Sequence, residues 1–179
     1  KYIQKIITNK TDEFIIIGDI HCDLVNFKVI LNNLIEKKII SNNFKIINSK
    51  YKMIFLGDMV DYGHYGIEVV MIILILKNKN PDNVFIISGN HEEERTYNRY
   101  HLGYEIRNEI TNDDNLLKNF TNFFNLLPVA LFIKYENDNK YYQFCHGGIP
   151  NEYVDNKNEN ERIKLQKFLT NKEKIMIVS

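Results

Sequence analysis

Four times along the chain an apolar, β-prone run stops abruptly at Gly, His, Asp or Asn. The runs are Phe14 to Ile17, Met53 to Leu56, Val84 to Ile87 and Tyr142 to Cys145. After them come Gly18-Asp19-Ile20-His21, Gly57-Asp58, Gly89-Asn90-His91 and His146-Gly147-Gly148. The first three runs are almost continuously apolar, which suits strands buried on both faces. Between them lie helical patterns. With Asp23 as N-cap, Leu24, Phe27, Leu31, Leu34 and Ile35 recur at helical spacing. Gly66 to Lys77 reads as a second, more deeply buried helix, closed by Pro81-Asp82. Glu92 to Ile110 is polar and reads as a helix-rich cover, and Asp114 to Leu127 as an amphipathic helix ended by Pro128. Val129 to Tyr135 and Tyr141 to Cys145 read as strands joined by a turn at Asn137-Asp138-Asn139.

Strands alternating with helices predict an α/β fold (α+β in some schemes), with two sheets forming a sandwich. No internal repeat or linker divides the chain, so one domain over 1–179 is expected. In such folds catalytic groups gather where strands end and loops begin. All four polar motifs stand at those ends.

Composition narrows the classes. Hydrophobic residues make up 44% and charged residues 26%, the balance of a globular protein. Lys and Arg number 23, as do Asp and Glu, so no net charge favours long-range attraction to nucleic acid or an anionic membrane. Lys1 to Lys10 does not read as a signal peptide, and Ile67 to Leu76 is too short to span a bilayer. Cys22 and Cys145 form no disulfide framework, which fits a reducing, cytoplasmic location. Asn151 to Arg162 reads as a polar loop, and the apolar run Ile175 to Val178 at the end implies that the sequence continues.

Asp19, His21, Asp58, Asn90 and His146 are the candidates for chemistry. Carboxylates, imidazoles and an amide oxygen suit divalent cations such as Mn, Fe or Zn. A shared carboxylate can hold two ions roughly 3.5–4 Å apart, where they polarise a phosphoryl group and acidify a water. His91, beside the site, can protonate a leaving oxygen. Each motif alone is an ordinary turn; specificity lies in their order, strand context and spacing.

Together, Gly18-Asp19-Ile20-His21, Gly57-Asp58-Met59-Val60-Asp61, Gly89-Asn90-His91-Glu92 and His146-Gly147-Gly148 resemble the signatures of the calcineurin-like metallophosphoesterases. They are most similar to the phosphoprotein phosphatase branch, whose motifs read GDxHG, GDxVDRG, GNHE and HGG. Phe120 to Ala130 and Phe144 to Pro150 resemble it in register, so the likeness covers roughly residues 14–150. The resemblance implies a central β-sandwich flanked by helices, a catalytic domain continuing beyond 179, and hydrolysis of phosphorylated proteins or small phosphoesters. It implies that Asp19 and His21 bind a first metal, Asp58 bridges, and Asn90 and His146 bind a second. His91 would be the general acid, oriented by Asp61. Regulatory subunits are compatible with it, and none is identified.

Four departures qualify the likeness. Cys22 stands where the motif has Gly; it is read as a small side chain at a turn before a soft ligand or an oxidation-sensitive group. Tyr62 replaces an Arg that grips phosphate as a planar fork. Ser88 stands where an Arg is frequent, and Arg95 or Arg99 can supply the charge instead. A second-metal His expected after HGG is absent from this sequence. The phosphate-contacting candidates are therefore Asn90, Tyr62 and Arg95. His64 and His101 read as surface or capping residues. The expected activity is that of a serine/threonine phosphatase. The alternatives are a dinucleoside polyphosphate hydrolase and a pseudophosphatase that binds phosphorylated partners.

Overall fold

The computed structural model describes residues 3–97, 100–110, 114–148 and 174–178. Strands β1 (Ile3–Thr8), β2 (Glu13–Ile17), β3 (Tyr51–Phe55), β4 (Val84–Ile86), β5 (Ala130–Tyr135), β6 (Lys140–Cys145) and β7 (Lys174–Val178) form two sheets. One is three-stranded and parallel, in the order β2-β3-β4. The other is four-stranded, β1-β5-β6-β7, with only the β5–β6 pair antiparallel. Helix α1 (Leu24–Glu36) follows β2, and α2 (Gly66–Lys79) follows β3.

Side-chain alternation along β3 connects the layers. Met53 and Phe55 face Phe27 and Leu31 of α1 and Val69, Val70 and Ile73 of α2 in one buried cluster. Phe27 meets Phe55 edge-on, with centroids 6.1 Å apart. Ile54 points the other way, into a second cluster with Phe85, Ile87, Leu131, Ile133 and Phe144. Apolar residues of both sheets thus meet in one core, and helices cover the outer face of the parallel sheet: a β-sandwich flanked by helices. Burying a side chain such as Ile54 contributes about 1.5–3 kcal/mol.

Strands β2 and β1 differ from the sequence expectation. The run in β2 is not buried on both faces: Ile16 is 44% exposed, because β2 is an edge of its sheet. Residues 92–110 are rich in helix, as expected, but in short pieces. They break into a 3₁₀ turn (Asn90–Glu92), two short helices, α3 (Glu94–Tyr97) and α4 (His101–Tyr104), and a π-helical turn (Glu105–Ile110). Polar groups of this stretch bond to other loops, and those bonds compete with a continuous helix. Strand β1 was not anticipated; its half-polar pattern becomes a strand only by pairing with β5, far away in sequence. The terminal apolar run is strand β7, parallel to β6. Helix α5 (Asp114–Asn125) completes the order, whereas the expected loop at Asn151 to Arg162 lies outside the described residues. No helix among the described residues is long and apolar enough to cross a membrane.

Two buried groups fix the loops around this frame. Asn80 ends α2 and is 3% exposed. Its Oδ1 accepts from the Ile46 N–H at 2.8 Å, and its Nδ2 donates to the carbonyls of Phe44 and Leu76, each at 2.8 Å. Cys22 precedes α1 in a left-handed conformation, φ +62°, where glycine is favoured. It is buried. Burial first, then the carboxylates of Glu105 and Asp61, push its thiol up to about 12.

Asn80→Ala leaves buried backbone groups without partners. It should destabilise the protein by about 3 kcal/mol, read as a lower urea midpoint at unchanged m-value. With a thiol at about 12, only about one Cys22 in 10⁴ is thiolate at pH 8. Native protein treated with iodoacetamide at pH 8 should therefore stay unmodified at Cys22, whereas denatured protein should be modified there, as read by peptide mass spectrometry.

Candidate metal centre

Three strand-end loops meet at the carboxyl ends of β2, β3 and β4. The backbone N–H groups of Ile20 and His21 both donate to the Asp58 carbonyl at 3.0 Å, and that of Cys22 to the Met59 carbonyl at 3.1 Å. These bonds fasten the first loop to the second. The second and third loops touch more closely still. A Cβ on Gly57 would lie 2.2 Å from the Gly89 nitrogen, and one on Gly89 would lie 2.1 Å from Asp58 Oδ1. Only glycine permits that approach.

Glu92 locks the contact. It is buried, and its carboxylate accepts from the N–H groups of Asp58 (2.8 Å), Met59 (2.8 Å) and Gly89 (2.7 Å). Burial pushes its carboxyl above the usual range, and the three N–H groups pull it back. Sequence reasoning quoted Glu92 within GNHE but assigned it no role; its place two residues after Asn90 at a turn was the available signal. Glu105 carried no motif and was missed. Its two oxygens accept from the N–H groups of Gly66 (3.1 Å) and Ile67 (3.2 Å), which caps α2.

On this base the structure gathers Asp19, His21, Asp58, Asn90 and His146. Asp58 is 3% exposed, and its Oδ1 accepts from the His91 N–H at 2.9 Å. Its Oδ2 lies 3.5 Å from His21 Nε2 and 3.1 Å from His146 Nε2. Each imidazole is oriented from behind by a carbonyl. His21 Nδ1 is 3.0 Å from the Val60 oxygen and His146 Nδ1 is 3.1 Å from the Leu56 oxygen. A carbonyl only accepts, so Nδ1 carries the hydrogen and Nε2 of the neutral ring presents a lone pair. His146 Nε2 also lies 3.1 Å from Asn90 Oδ1.

Lone pairs on two nitrogens, a carboxylate and an amide oxygen therefore converge. Unless a proton or a cation lies between them, they repel. The donor set thus fits a divalent cation. Two groups of donor atoms lie within 4.8 Å of one another, His21–Asp58–His91 and Asp19–Asp58–His146, and Asp58 belongs to both. In these groups Asp19 falls beside His146, at 3.7 Å, and His21 beside His91.

His91 is buried, with Nδ1 2.8 Å from Asp61 Oδ2. Asp61 is fully buried, and its Oδ1 accepts from the Leu102 N–H at 2.9 Å, which ties α4 to the site. An ionised carboxylate only accepts, so His91 Nδ1 carries a hydrogen and Nε2 is left for the site. Tyr62 is exposed, its ring centred 4.9 Å from the rings of both His21 and His91. Desolvation, then Tyr100, pushes its phenol up, so it offers a neutral hydroxyl. Ser88 is buried, bonded through its N–H to the Pro128 carbonyl. Arg95 is exposed on α3, and Arg99 lies outside the described residues. His64 and His101 stack edge-on, with His101 Nε2 3.3 Å from His64 Nδ1.

The chain matches 35% of 96 aligned residues in a serine/threonine-protein phosphatase PP2A-like PPG1 of Candida albicans, covering 54% of this chain and 22% of that protein. It is 37% identical over 86 residues to the serine/threonine-protein phosphatase 6 catalytic subunit of Caenorhabditis elegans, covering 48% and 25%. The chain thus spans about a quarter of the length of these relatives. Its fold superposes on a protein serine/threonine phosphatase from Saccharomyces cerevisiae, described as similar to human phosphatase PP5. The TM-score is 0.64 and the identity 27%, over 83% of this chain and 42% of that one. Residues 13–178 match the family model described as calcineurin-like phosphoesterase, and the chain belongs to that family.

Proposed function

We propose that the chain is one catalytic domain that hydrolyses phosphate monoesters with two divalent cations, and that phosphoserine and phosphothreonine of proteins are its substrates. The observation that carries the reading is Asp58 Oδ2, which faces two imidazole Nε2 atoms whose rings are oriented by backbone carbonyls. The names of the relatives support the substrate class.

Asp19 and His21 would hold one cation, Asn90 and His146 the other, and Asp58 both; Mn, Fe and Zn suit this donor set. When bound, such a pair polarises the phosphoryl oxygens and lowers the pKa of a water. The remaining work falls to the chain's own groups. Asn90, Tyr62 and Arg95 would contact the phosphate, with Tyr62 giving one hydrogen bond where an Arg would give a fork. His91 would donate a proton from Nε2 to the leaving oxygen. It also lies within ligand distance of His21 and Asp58. The proton-donor role is preferred because a buried carboxylate, Asp61, backs its Nδ1, whereas carbonyls back the two ligand imidazoles.

Protein stripped of metal and reconstituted with Mn should cleave p-nitrophenyl phosphate. Asp58→Asn should reduce that activity to the level seen in chelator, while equal activity with and without chelator would sink the two-metal reading. His91→Ala should lower kcat by about 10²–10⁴ on an alkyl phosphate, whose leaving oxygen needs the proton. On p-nitrophenyl phosphate, whose leaving group needs none, the loss should be much smaller. Equal losses on the two substrates would remove His91 from the acid role.

A further inference from the structure

Outside the metal centre the fold brings two further histidines together. His64 lies on the loop between β3 and α2 and is exposed; His101 opens α4 and is half-buried. His64 Nδ1 is 3.3 Å from His101 Nε2, with the rings at 89° and their centroids 4.4 Å apart. Around them lies an exposed aromatic face of Tyr62, Tyr100 and Tyr104, in which the rings of Tyr62 and Tyr100 are centred 4.9 and 5.3 Å from that of His91. With His101 these tyrosines line an open depression of about 400 Å³, and His64 lines a neighbouring one of about 570 Å³ that Tyr62 shares.

Two neutral imidazoles whose ring nitrogens face each other repel unless a proton or a cation stands between the lone pairs. A shared proton is one solution, but 3.3 Å exceeds the roughly 2.7–3.2 Å of the usual protein hydrogen bond. The spacing does match a metal polyhedron. Two nitrogens each about 2.0–2.1 Å from zinc in a tetrahedral site stand about 3.3–3.4 Å apart. At the same bond length, neighbouring ligands of a square-planar site stand only about 2.8–3.0 Å apart, so the spacing favours zinc over copper or nickel. Magnesium and calcium prefer oxygen ligands.

The two segments are already tied. Asp61, on the loop of His64, accepts from the N–H of Leu102, next to His101, at 2.9 Å. Asp61 and Tyr62 hold left-handed backbone conformations, φ +69° and +63°. The ligands therefore meet before an ion binds, which lowers the ordering cost of binding. A turn of the exposed His64 ring brings both lone pairs onto one ion, and the open depressions admit water to the remaining positions.

We propose that His64 and His101 form a second zinc site, separate from the centre on Asp58, in which one ion takes Nδ1 of the first, Nε2 of the second and water, and clamps α4 to the loop after β3. Both rings bind neutral, each keeping its hydrogen on its other nitrogen. Resident zinc sites have three or four protein ligands; with two, binding is micromolar and the ion exchanges with the medium. The site stands whether or not the chain hydrolyses phosphate esters.

The test uses the whole protein, loaded with Mn and kept in excess Mn, titrated with zinc against a chromogenic chelator at a pH where imidazole is mostly neutral. The forms are native, His64→Ala, His101→Ala and the double variant. Zinc that replaces Mn at the centre is common to all four and cancels. The native protein should take up one more zinc than any variant. Each Ala change should weaken that ion's binding by at least about 100-fold, since loss of an outer-sphere partner alone can cost that much, and the double variant should lose no more than either single one. In the native protein, zinc at about ten times its Kd should slow amide exchange across His101 to Tyr104 about tenfold. Equal zinc uptake in all four forms overturns the site, as does uptake that survives either single change. Losses that add in the double variant mark two separate ions and overturn the clamp, as does unchanged exchange in α4, a readout of the native protein that needs no variant to fold.

Discussion

The site depends on one buried carboxylate. Glu92 binds three backbone N–H groups from two loops, and without it Asp58, Met59 and Gly89 would each leave a donor in a dry interior. An unpaired buried donor costs about 1–3 kcal/mol. The bonds hold Gly57 and Gly89 at a separation no other residue tolerates, and that separation lets the His91 N–H reach Asp58. The position of the central acid thus follows from Glu92.

The same loops store strain. His21, Cys22, Asp58, Asp61 and Tyr62 all have positive φ. For a residue with a side chain, such a conformation costs on the order of 1–3 kcal/mol. It persists because surrounding bonds over-determine it: Cys22 through Met59, Asp58 through Glu92, Asp61 through His91 and Leu102. The gain is convergence. Side chains from four strand ends point at one volume, with the imidazoles turned so that Nε2 faces Asp58. Electrostatic repulsion among these lone pairs makes the arrangement unfavourable by itself and favourable around cations.

His91 and Asp61 link this centre to its outer rim. Through Leu102, Asp61 also anchors the short helices that carry Tyr100 and Tyr104. The acid and the aromatic face are therefore parts of one bonded unit, and any movement of α4 is felt at His91.

Much of this was legible in the chain. Apolar runs of strand length marked β2, β3, β4 and β6, because a buried strand must be apolar and must end where polar loops begin. Asp23 and the spacing of Phe27 and Leu31 marked α1 for the same local reason. Asp19, His21, Asp58, Asn90, His91 and His146 stood out because ligands sit at strand ends, at recognisable spacing. What remained hidden depends on partners distant in sequence. Strand β1 exists only through β5, and Ile16 is exposed only because β2 is an edge. Glu92, Glu105 and Asn80 look like ordinary polar residues until folding buries them against backbone groups tens of residues away. Residue identity and local periodicity determined the elements and the ligand types. The packing of loops decided which lone pairs meet, which carboxylates are buried and which rings crowd His91, because those distances are set by bonds between segments that no local pattern records.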